Sequence, residues 1–317
     1  MKRLQEQGGR IRVLVRPRRN RFPLSVFRFP YGPAQPQGNG PGRTDNGQQT
    51  TDNEVIWGDV RDPAAVGRLL DGADVVFHLA AHARAWAANP EDFEAINVEG
   101  TRHVVSAARA AGVRRVVHVS TELVDGDQTH YQRTKRAAEQ VVQDYIAQGG
   151  DAVIVRPTRV YGPGPLNPAN SATRVIALYR RGLFRVRIAD RGARANYVYV
   201  DDVVNGLLQA AECGARGAAY VLGGENLTIS QLLDLVAQVT GRRHRVVAAP
   251  QAAARAVAWA CELAGRLGLE PLITRDWVDV LTQDRPMSSE RAEAELGYRP
   301  RGAREGIAAT VAWLEAA

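Results

Sequence analysis

Hydrophobic residues in the first half of the chain are concentrated in short runs rich in valine and isoleucine. Runs of this length are typical of buried strands, and a segment with helical spacing of apolar residues separates each from the next. This alternation predicts an α/β fold, a parallel sheet with helical crossovers. The predicted strands are Arg10–Val15, Val75–Leu79, Arg115–Val119 and Ala152–Arg156.

Two segments between these runs have different patterns. Apolar residues recur every three or four positions from Phe93 to Ala111 and stop at Gly112, which predicts a helix ending at a glycine. The stretch from Phe29 to Glu54 is rich in Gly, Pro, Asn, Gln and Thr and contains no Val, Ile, Leu or Met. Because such a stretch cannot contribute to a core, we predict a disordered surface insertion over residues 29–54.

After Pro157 the pattern changes to helices joined by irregular segments. Thr228 and Gly241 have the residue types expected at the start and end of one of them. We therefore divide the chain into a sheet-forming domain, residues 1–157, and a smaller, mostly helical lobe, residues 158–317, interleaved with the last strands of the sheet. The predicted helices are Ser171–Arg181, Asp202–Glu212, Ile229–Thr240, Ala252–Leu267, Ser289–Leu296 and Glu305–Glu315.

Charge and hydropathy restrict the partners. The net charge is +7, but the basic residues are scattered through every segment, which disfavours nucleic acid as a partner. The chain has no run of eighteen apolar residues and no apolar stretch after its first three residues, so we predict neither a membrane span nor a signal peptide. These patterns predict a cytoplasmic protein with a small-molecule substrate, no membrane partner and no metal; a homodimer is left open.

Lysine is nearly absent from the chain. Of 41 basic residues only Lys2 and Lys135 are lysines, so a lysine kept at position 135 indicates a role that arginine cannot fill. Tyr131 precedes Lys135 by one helical turn, which places both side chains on one helix face. A nearby cation favours the phenolate and is expected to lower the pKa of Tyr131 toward working pH, as a general acid or base requires. An ordinary exposed helix face is the alternative interpretation.

The context of this pair resembles a known family. A strand ending in Ser120 and Thr121 lies shortly before Tyr131, as in extended short-chain dehydrogenases/reductases of the NAD-dependent epimerase/dehydratase family. The closest resemblance is to the sugar-epimerase and dihydroflavonol-reductase-like branch. It implies a Rossmann-type, doubly wound parallel sheet and a dinucleotide-binding role for residues 1–157. It also implies that Thr121 positions the substrate oxygen, Tyr131 moves its proton, and Lys135 lowers the phenol pKa and holds the nicotinamide ribose.

Further short motifs resemble the same family in the same chain order. The acidic residue after a strand would accept from the adenine amino group, and Asn97 would order backbone and water near the active site. The turn after the strand ending at Leu79 would pass beside the cofactor, and the segment at Pro157 would cover the nicotinamide. The implied cofactor-binding residues are Asp59, Val60, Leu79, Ala80, Ala81, Asn97, Tyr131, Lys135 and Pro157.

The chain departs from the family at its beginning. A first strand and a glycine-rich turn that holds the pyrophosphate are absent, and Lys2–Gly9 resembles the end of the first helix. The chain thus begins about twenty residues late relative to the family pattern. We expect the true start to lie upstream, because otherwise the neighbouring strands would face a gap in the centre of the sheet. A second departure is the connection from Thr121 to Tyr131, which is only ten residues long.

The cofactor and the reaction remain partly open. Arg16 follows the first predicted strand, where NAD-preferring members often carry an acidic residue, so NADP is slightly favoured over NAD. Glu122 and Leu123 replace the Asp-Glu pair of dehydratases, which disfavours dehydration. Epimerisation of a nucleotide sugar and reduction of a related carbonyl compound remain. The alternative class is a non-catalytic binding or scaffold protein that has lost the phosphate loop.

Overall fold

The computed structural model describes residues 10–15, 24–28, 54–84, 86–164, 166, 170–265 and 267–316. The described strands are, in chain order, β1 (Arg10–Val15), β2 (Leu24–Arg28), β3 (Glu54–Trp57), β4 (Val75–His78), β5 (Arg115–Val119), β6 (Ala152–Pro157), β7 (Arg159–Tyr161), β8 (Val186–Ile188), β9 (Arg194–Tyr199), β10 (Ala219–Leu222), β11 (Glu225–Thr228) and β12 (Val247–Ala249). The α-helices are α1 (Pro63–Leu70), α2 (Glu91–Glu94), α3 (Gly100–Ala110), α4 (His130–Ala147), α5 (Ser171–Arg180), α6 (Val200–Cys213), α7 (Ile229–Thr240), α8 (Gln251–Gly265), α9 (Arg275–Thr282), α10 (Glu290–Leu296) and α11 (Ala303–Ala316).

The main sheet has seven strands in the order β10-β6-β5-β4-β2-β1-β3. Neighbouring strands are parallel except at β2, which runs antiparallel to both β1 and β4. Helices cover both faces: Leu69, Val104 and Val142 are fully buried on one, while Val117 and Leu207 belong to the core on the other. The predicted Rossmann-type, doubly wound α/β fold is confirmed, with one antiparallel strand added to it.

The gap expected for a sheet without the family's first strand does not arise among the described strands, because β2 lies between β1 and β4. Val26 pairs with Arg12 of β1 on one side and with Val76 of β4 on the other. Only eight residues separate Val15 from Leu24. A parallel connection needs about a dozen residues or more, so a strand this close in sequence can pair with β1 only by running back along it.

The second lobe contains two small sheets, β11-β9-β7 and β12-β8. Helices α5, α7 and α11 pack on the three-stranded sheet around the buried residues Tyr161, Ile176 and Leu232. The predicted α7 is confirmed, because Thr228 accepts a hydrogen bond from the Gln231 amide at 3.1 Å and Gly241 ends the helix with a φ of 66°. Helix α9 is an element that the sequence pattern did not predict.

Other predicted elements are placed as follows. The helix expected over residues 93–111 consists of α2, a π-helical turn over Ala95–Glu99, and α3. Of the insertion expected over residues 29–54, only Glu54 is described, and it begins β3. The segment 2–9 also lies outside the described residues. Among the helices that are described, none combines the length and apolar character needed to cross a bilayer.

Candidate functional site

The site lies at the carboxyl end of β5, where a 3-10 turn over Glu122–Asp125 leads toward α4. Thr129 caps this helix: its hydroxyl accepts from the Gln132 amide at 3.1 Å, and the Gln132 side chain accepts from the Thr129 amide at 2.9 Å. Gly126 allows the Gln132 side chain to pack closely, because a Cβ atom at Gly126 would lie 2.0 Å from the side-chain nitrogen Nε2 of Gln132. This local packing fixes the start of α4, which carries Tyr131 and Lys135.

Tyr131 is half-buried at the start of α4 and is hydrogen-bonded to Thr121, which is 8% exposed. Burial raises the pKa of Tyr131 to about 12, the hydrogen bond with Thr121 lowers it, and the charge of Glu122 raises it further. The expected lowering of the Tyr131 pKa is therefore wrong for the protein without cofactor. The physical reason is that removing the phenolate from water outweighs the favourable hydrogen bond.

Lys135 is 1% exposed, and its ammonium donates to the Val119 carbonyl at 2.7 Å. Burial lowers the pKa of Lys135 to about 8, while the charge of Glu139, one helical turn further along α4, raises it. Glu139 is held by Arg156 of β6 through contacts of 2.9 and 2.6 Å from its Nε and a terminal nitrogen. A buried lysine of this kind can switch its charge near neutral pH, which arginine cannot do.

Two buried histidines flank Lys135 on adjacent strands. His78 of β4 and His118 of β5 are register partners with ring centroids 5.2 Å apart. Burial, followed by the charge of Lys135, lowers the pKa of His78 to about 3 and that of His118 well below its usual value. His78 Nε2 lies 2.9 Å from the Thr101 hydroxyl. Both rings are thus neutral. Of these three buried groups in the described site, Lys135 is the cation.

Asn97 connects the loop after β4 with α4. It is 1% exposed, its Oδ1 accepts from the His82 amide at 2.6 Å, and its Nδ2 donates to the Thr134 hydroxyl at 2.9 Å. It therefore orders the backbone of that loop, while its expected role toward the cofactor stays a prediction. Because Thr134 precedes Lys135, the same side chain links the loop to α4.

The residues expected to bind the adenosine end have other contacts. The carboxylate of Asp59 accepts three hydrogen bonds from Arg61. The Arg61 backbone amide donates at 3.0 Å, and the Arg61 guanidinium donates at 3.0 and 3.2 Å. The Val60 side chain packs in the core, where a Cβ atom on Gly100 would lie 2.8 Å from it, and its carbonyl contacts His103 Nδ1 at 3.0 Å. Arg16 lies outside the described residues.

The remaining expected cofactor residues line the carboxyl edge of the sheet. Leu79 is 40% exposed although it is apolar, and Ala80 and Ala81 beside it are partly exposed. Pro157 ends β6 and is buried. Leu79, Ala80 and Ala81 thus leave an uncovered apolar surface next to the site of Lys135.

The described residues fit the nicotinamide end of a nicotinamide dinucleotide but not its pyrophosphate end. The Lys135 ammonium has three N–H donors and one recorded acceptor, Val119, so it has donors for ribose hydroxyls. The pyrophosphate end is different because β2 runs antiparallel and its carboxyl end, Arg28, lies at the opposite edge of the sheet. The described residues therefore include no glycine-rich turn from the central strand at the cofactor edge.

Sequence reasoning missed one residue of the site, Glu122. It is 9% exposed, directly follows Thr121, and its Oε2 has no hydrogen-bond partner among the described residues. Burial raises the pKa of Glu122, whereas the charges of Arg159 and Arg285 lower it. The position next to Thr121 was a signal for this residue, but its two arginine neighbours lie far away in sequence.

Comparison with known proteins supports the same family. The chain is 30% identical over 281 residues to sterol demethylase protein B of Methylococcus capsulatus, which covers 82% of this chain and 84% of that protein. It is 27% identical over 338 residues to a candidate dihydroflavonol 4-reductase of Synechocystis, covering 99% of this chain and 90% of that protein.

A solved structure and a family model agree with these relatives. The crystal structure of gox2253 matches with a TM-score of 0.73 and 30% identity, covering 99% of this chain and 93% of that chain. The model of the NAD dependent epimerase/dehydratase family matches residues 1–223, which is more than half of the chain. The protein therefore belongs to the NAD dependent epimerase/dehydratase family of enzymes.

Proposed function

We propose that this protein is an NAD(P)-dependent reductase that interconverts a ketone and a secondary alcohol on a largely apolar substrate. The observation that carries this proposal is the hydrogen-bonded pair Thr121 and Tyr131 beside the buried Lys135. The half-buried phenol is neutral at working pH, because burial raises its pKa to about 12. A protonated phenol is ready to donate to a carbonyl oxygen, which is the proton step of reduction.

Each described residue has a distinct part in this mechanism. Thr121 positions the substrate oxygen by a hydrogen bond, and Tyr131 gives that oxygen its proton. Lys135 places a positive charge close to the phenol and stabilises the phenolate that remains. Lys135 and the surface formed by Leu79, Ala80 and Ala81 would hold the nicotinamide end of the cofactor. When bound, the reduced cofactor supplies the hydride for the carbonyl carbon.

Reduction is favoured over dehydration by the residues that follow Thr121. A dehydration needs groups that remove one proton and return another, and Leu123 at the second position is 7% exposed and apolar. Glu122 is the one acid directly after Thr121, because the second acid of the 3-10 turn, Asp125, is exposed at its far end. Nucleotide sugars, which the family resemblance also implies, are the second substrate class for the same chemistry.

An apolar substrate is favoured by the side chains where the two lobes meet. Trp86 follows the loop after β4 and lies near Gly265. A Cβ atom on Gly265 would be 3.6 Å from the Trp86 ring and 2.9 Å from Pro271. Arg84 pairs with Glu270 at 2.6 Å and holds the lobes together there. The names of the relatives, which refer to a sterol and a dihydroflavonol, agree with such a substrate.

The test measures whether the full chain reduces a panel of ketones with NADH or NADPH. The reaction is monitored by the loss of absorbance of the reduced nicotinamide. The panel contains a cyclic steroid ketone, a linear alkyl ketone and a keto nucleotide sugar. Tyr131→Phe should lower kcat by about 10²–10⁴-fold, because the variant cannot give a proton to the substrate oxygen. Tyr145→Phe, on the same helix, is the matched control and should retain turnover.

Two results would contradict the proposal. Full turnover in Tyr131→Phe would remove the tyrosine from the mechanism. Absence of turnover together with absence of NAD(H) and NADP(H) binding would favour the non-catalytic binding protein, an alternative that the reversed β2 strand supports.

A further inference from the structure

Three charged side chains that the proposed mechanism does not use come together next to Thr121. Glu122 follows Thr121 in the 3-10 turn, Arg159 begins β7, and Arg285 lies in the segment between α9 and α10. Glu122 is more than nine-tenths buried, and its Oε2 has no hydrogen-bond partner among the described residues. A buried carboxyl oxygen without a partner is costly unless another group satisfies it.

The strand register places the two arginines side by side. Arg159 is the register partner of Tyr197 on β9, and Arg285 forms a parallel bridge with Ala195 on the same edge of that strand. The other edge of β9 is occupied by β11. Register partners and residues two apart along a strand share a sheet face, so the two side chains point to the same face about 6–7 Å apart.

Neither guanidinium is neutralised within the described part of the chain. Arg159 lies over the Tyr197 ring at 5.9 Å, and Arg285 donates from its Nε to the Gln283 side chain at 2.9 Å. Among the described residues, Arg159, Arg285 and Glu122 form no ion pair within 4.0 Å. The charges of the two arginines nevertheless lower the pKa of Glu122. The two guanidinium charges exceed the single carboxyl charge, and the cluster therefore carries a net positive charge.

We infer that Glu122, Arg159 and Arg285 form an anion subsite that binds a substrate carboxylate beside the carbonyl held by Thr121 and Tyr131. Planar guanidinium groups match a carboxylate in a fork geometry. A second full negative charge, as on a phosphate, would add repulsion from the Glu122 carboxyl. The substrate class is thus an oxo acid whose carboxylate lies near the ketone, because Glu122 directly follows Thr121.

This inference rests on the proposed function for its reaction. The ketone of the oxo acid accepts a hydride at carbon from NADH or NADPH and a proton at oxygen from Tyr131, giving the hydroxy acid and the oxidised cofactor. The carboxylate keeps its atoms and charge throughout. The subsite therefore determines which ketone is reduced and leaves the hydride step to the residues described above.

The experiment compares a linear 3-oxo acid with its methyl ester in the full chain. The native protein should prefer the acid by about 10–100-fold in kcat/KM, because the ester lacks the charge that the arginines bind. Arg159→Gln and Arg285→Gln should each lower kcat/KM for the acid by about 10–100-fold, mainly by raising KM. Each should change kcat/KM for the ester by less than about threefold. Arg243→Gln, at a surface ion pair with Asp234, is the control.

Binding of an unreactive anion separates this inference from the proposed function. A medium-chain alkanoate should raise the melting temperature of the native protein and of the Arg243→Gln variant, but not of Arg159→Gln or Arg285→Gln. Glu122→Gln should bind the alkanoate more tightly at pH 8, because the variant removes a negative charge and its side-chain amide can donate to the carboxylate.

The outcomes separate clearly. Stabilisation by inorganic phosphate and not by alkanoate would overturn the carboxylate assignment, as would equal losses for acid and ester in the arginine variants. Reduction of the ester without preference for the acid would refute the subsite and leave the reductase intact. Alkanoate binding that needs both arginines, in a protein that reduces no ketone, would support the subsite and refute the proposed function.

Discussion

The two halves of the main sheet differ in how they serve the site. Strands β4, β5 and β6 are parallel, and their carboxyl ends bring Thr121, Lys135 and the loop after β4 to one edge. In the other half, β2 lies between β1 and β4 but runs in the opposite direction. The comparison shows that either strand direction satisfies backbone hydrogen bonding at a central position, whereas only a parallel strand delivers its following loop to the ligand edge.

The difference has a simple origin in chain connectivity. Parallel neighbours in the first half are joined by helices such as α3, which is long enough to cross the sheet. The segment between β1 and β2 has only eight residues, fewer than a parallel connection needs, and β2 returns antiparallel. The half with helical crossovers therefore brings Thr121 and Lys135 to one edge, whereas the carboxyl end of β2 lies at the opposite edge.

The largest expected effect tests the catalytic half through Lys135. Lys135→Met should lower kcat/KM by about 10²–10⁴-fold, because it removes the cation that lies one helical turn from Tyr131. The same change should raise the free energy of unfolding at pH 7 by about 1–3 kcal/mol, since it removes a buried ammonium. Lys2→Met, which changes the other lysine of the chain, is the matched control for both measurements.

The pH dependence gives a check on the same variant. The pKa of Lys135 in the folded protein, about 8, lies below its ordinary value of 10.5. The folded state therefore binds fewer protons than the unfolded state between these values, and its stability should rise with pH through that window. This rise should be absent in Lys135→Met. A variant that is both active and less stable would contradict the buried, charged lysine.

The next effect tests the other half, at β2. Val26→Pro removes a backbone donor from a strand that is paired on both sides, so the free energy of unfolding should fall by about 3 kcal/mol or more. Chemical denaturation followed by circular dichroism measures it. Ala252→Pro, in the first turn of α8 where proline is tolerated, is the control and should change little. Unchanged stability in Val26→Pro would show that β2 does not complete the sheet.

The smallest expected effect lies where the two halves meet, at Asn97. Asn97→Ala removes both of its hydrogen bonds and should raise KM for the nicotinamide cofactor about tenfold, with a loss of stability of about 1–3 kcal/mol. Asn97→Asp keeps the acceptor for the His82 amide and should recover most of the cofactor affinity. If Asp behaves like Ala, the link to Thr134 and not the loop after β4 is the important contact.

Much of the fold could be predicted because it depends on local patterns. The β1 and β5 strands match the sequence prediction at both ends, and so does α7 between Thr228 and Gly241. Helix α9 was missed although its apolar residues are spaced as in a helix, because its eight residues span only about two turns, too few to establish a period. Strand β2 was missed because its five residues contain a single valine and no isoleucine, whereas the equally long β5 contains three valines.

The sequence alone determined the family and pointed to Tyr131 and Lys135 as the proposed catalytic pair, because their spacing along one helix is a local property. Tertiary structure decided the rest. The direction of β2, the burial of Lys135 and the meeting of Glu122 with Arg159 and Arg285 all depend on strand register between distant segments. Register is set by the packing of the whole sheet, and so the pKa shifts and the proposed anion subsite could be inferred only from the folded chain.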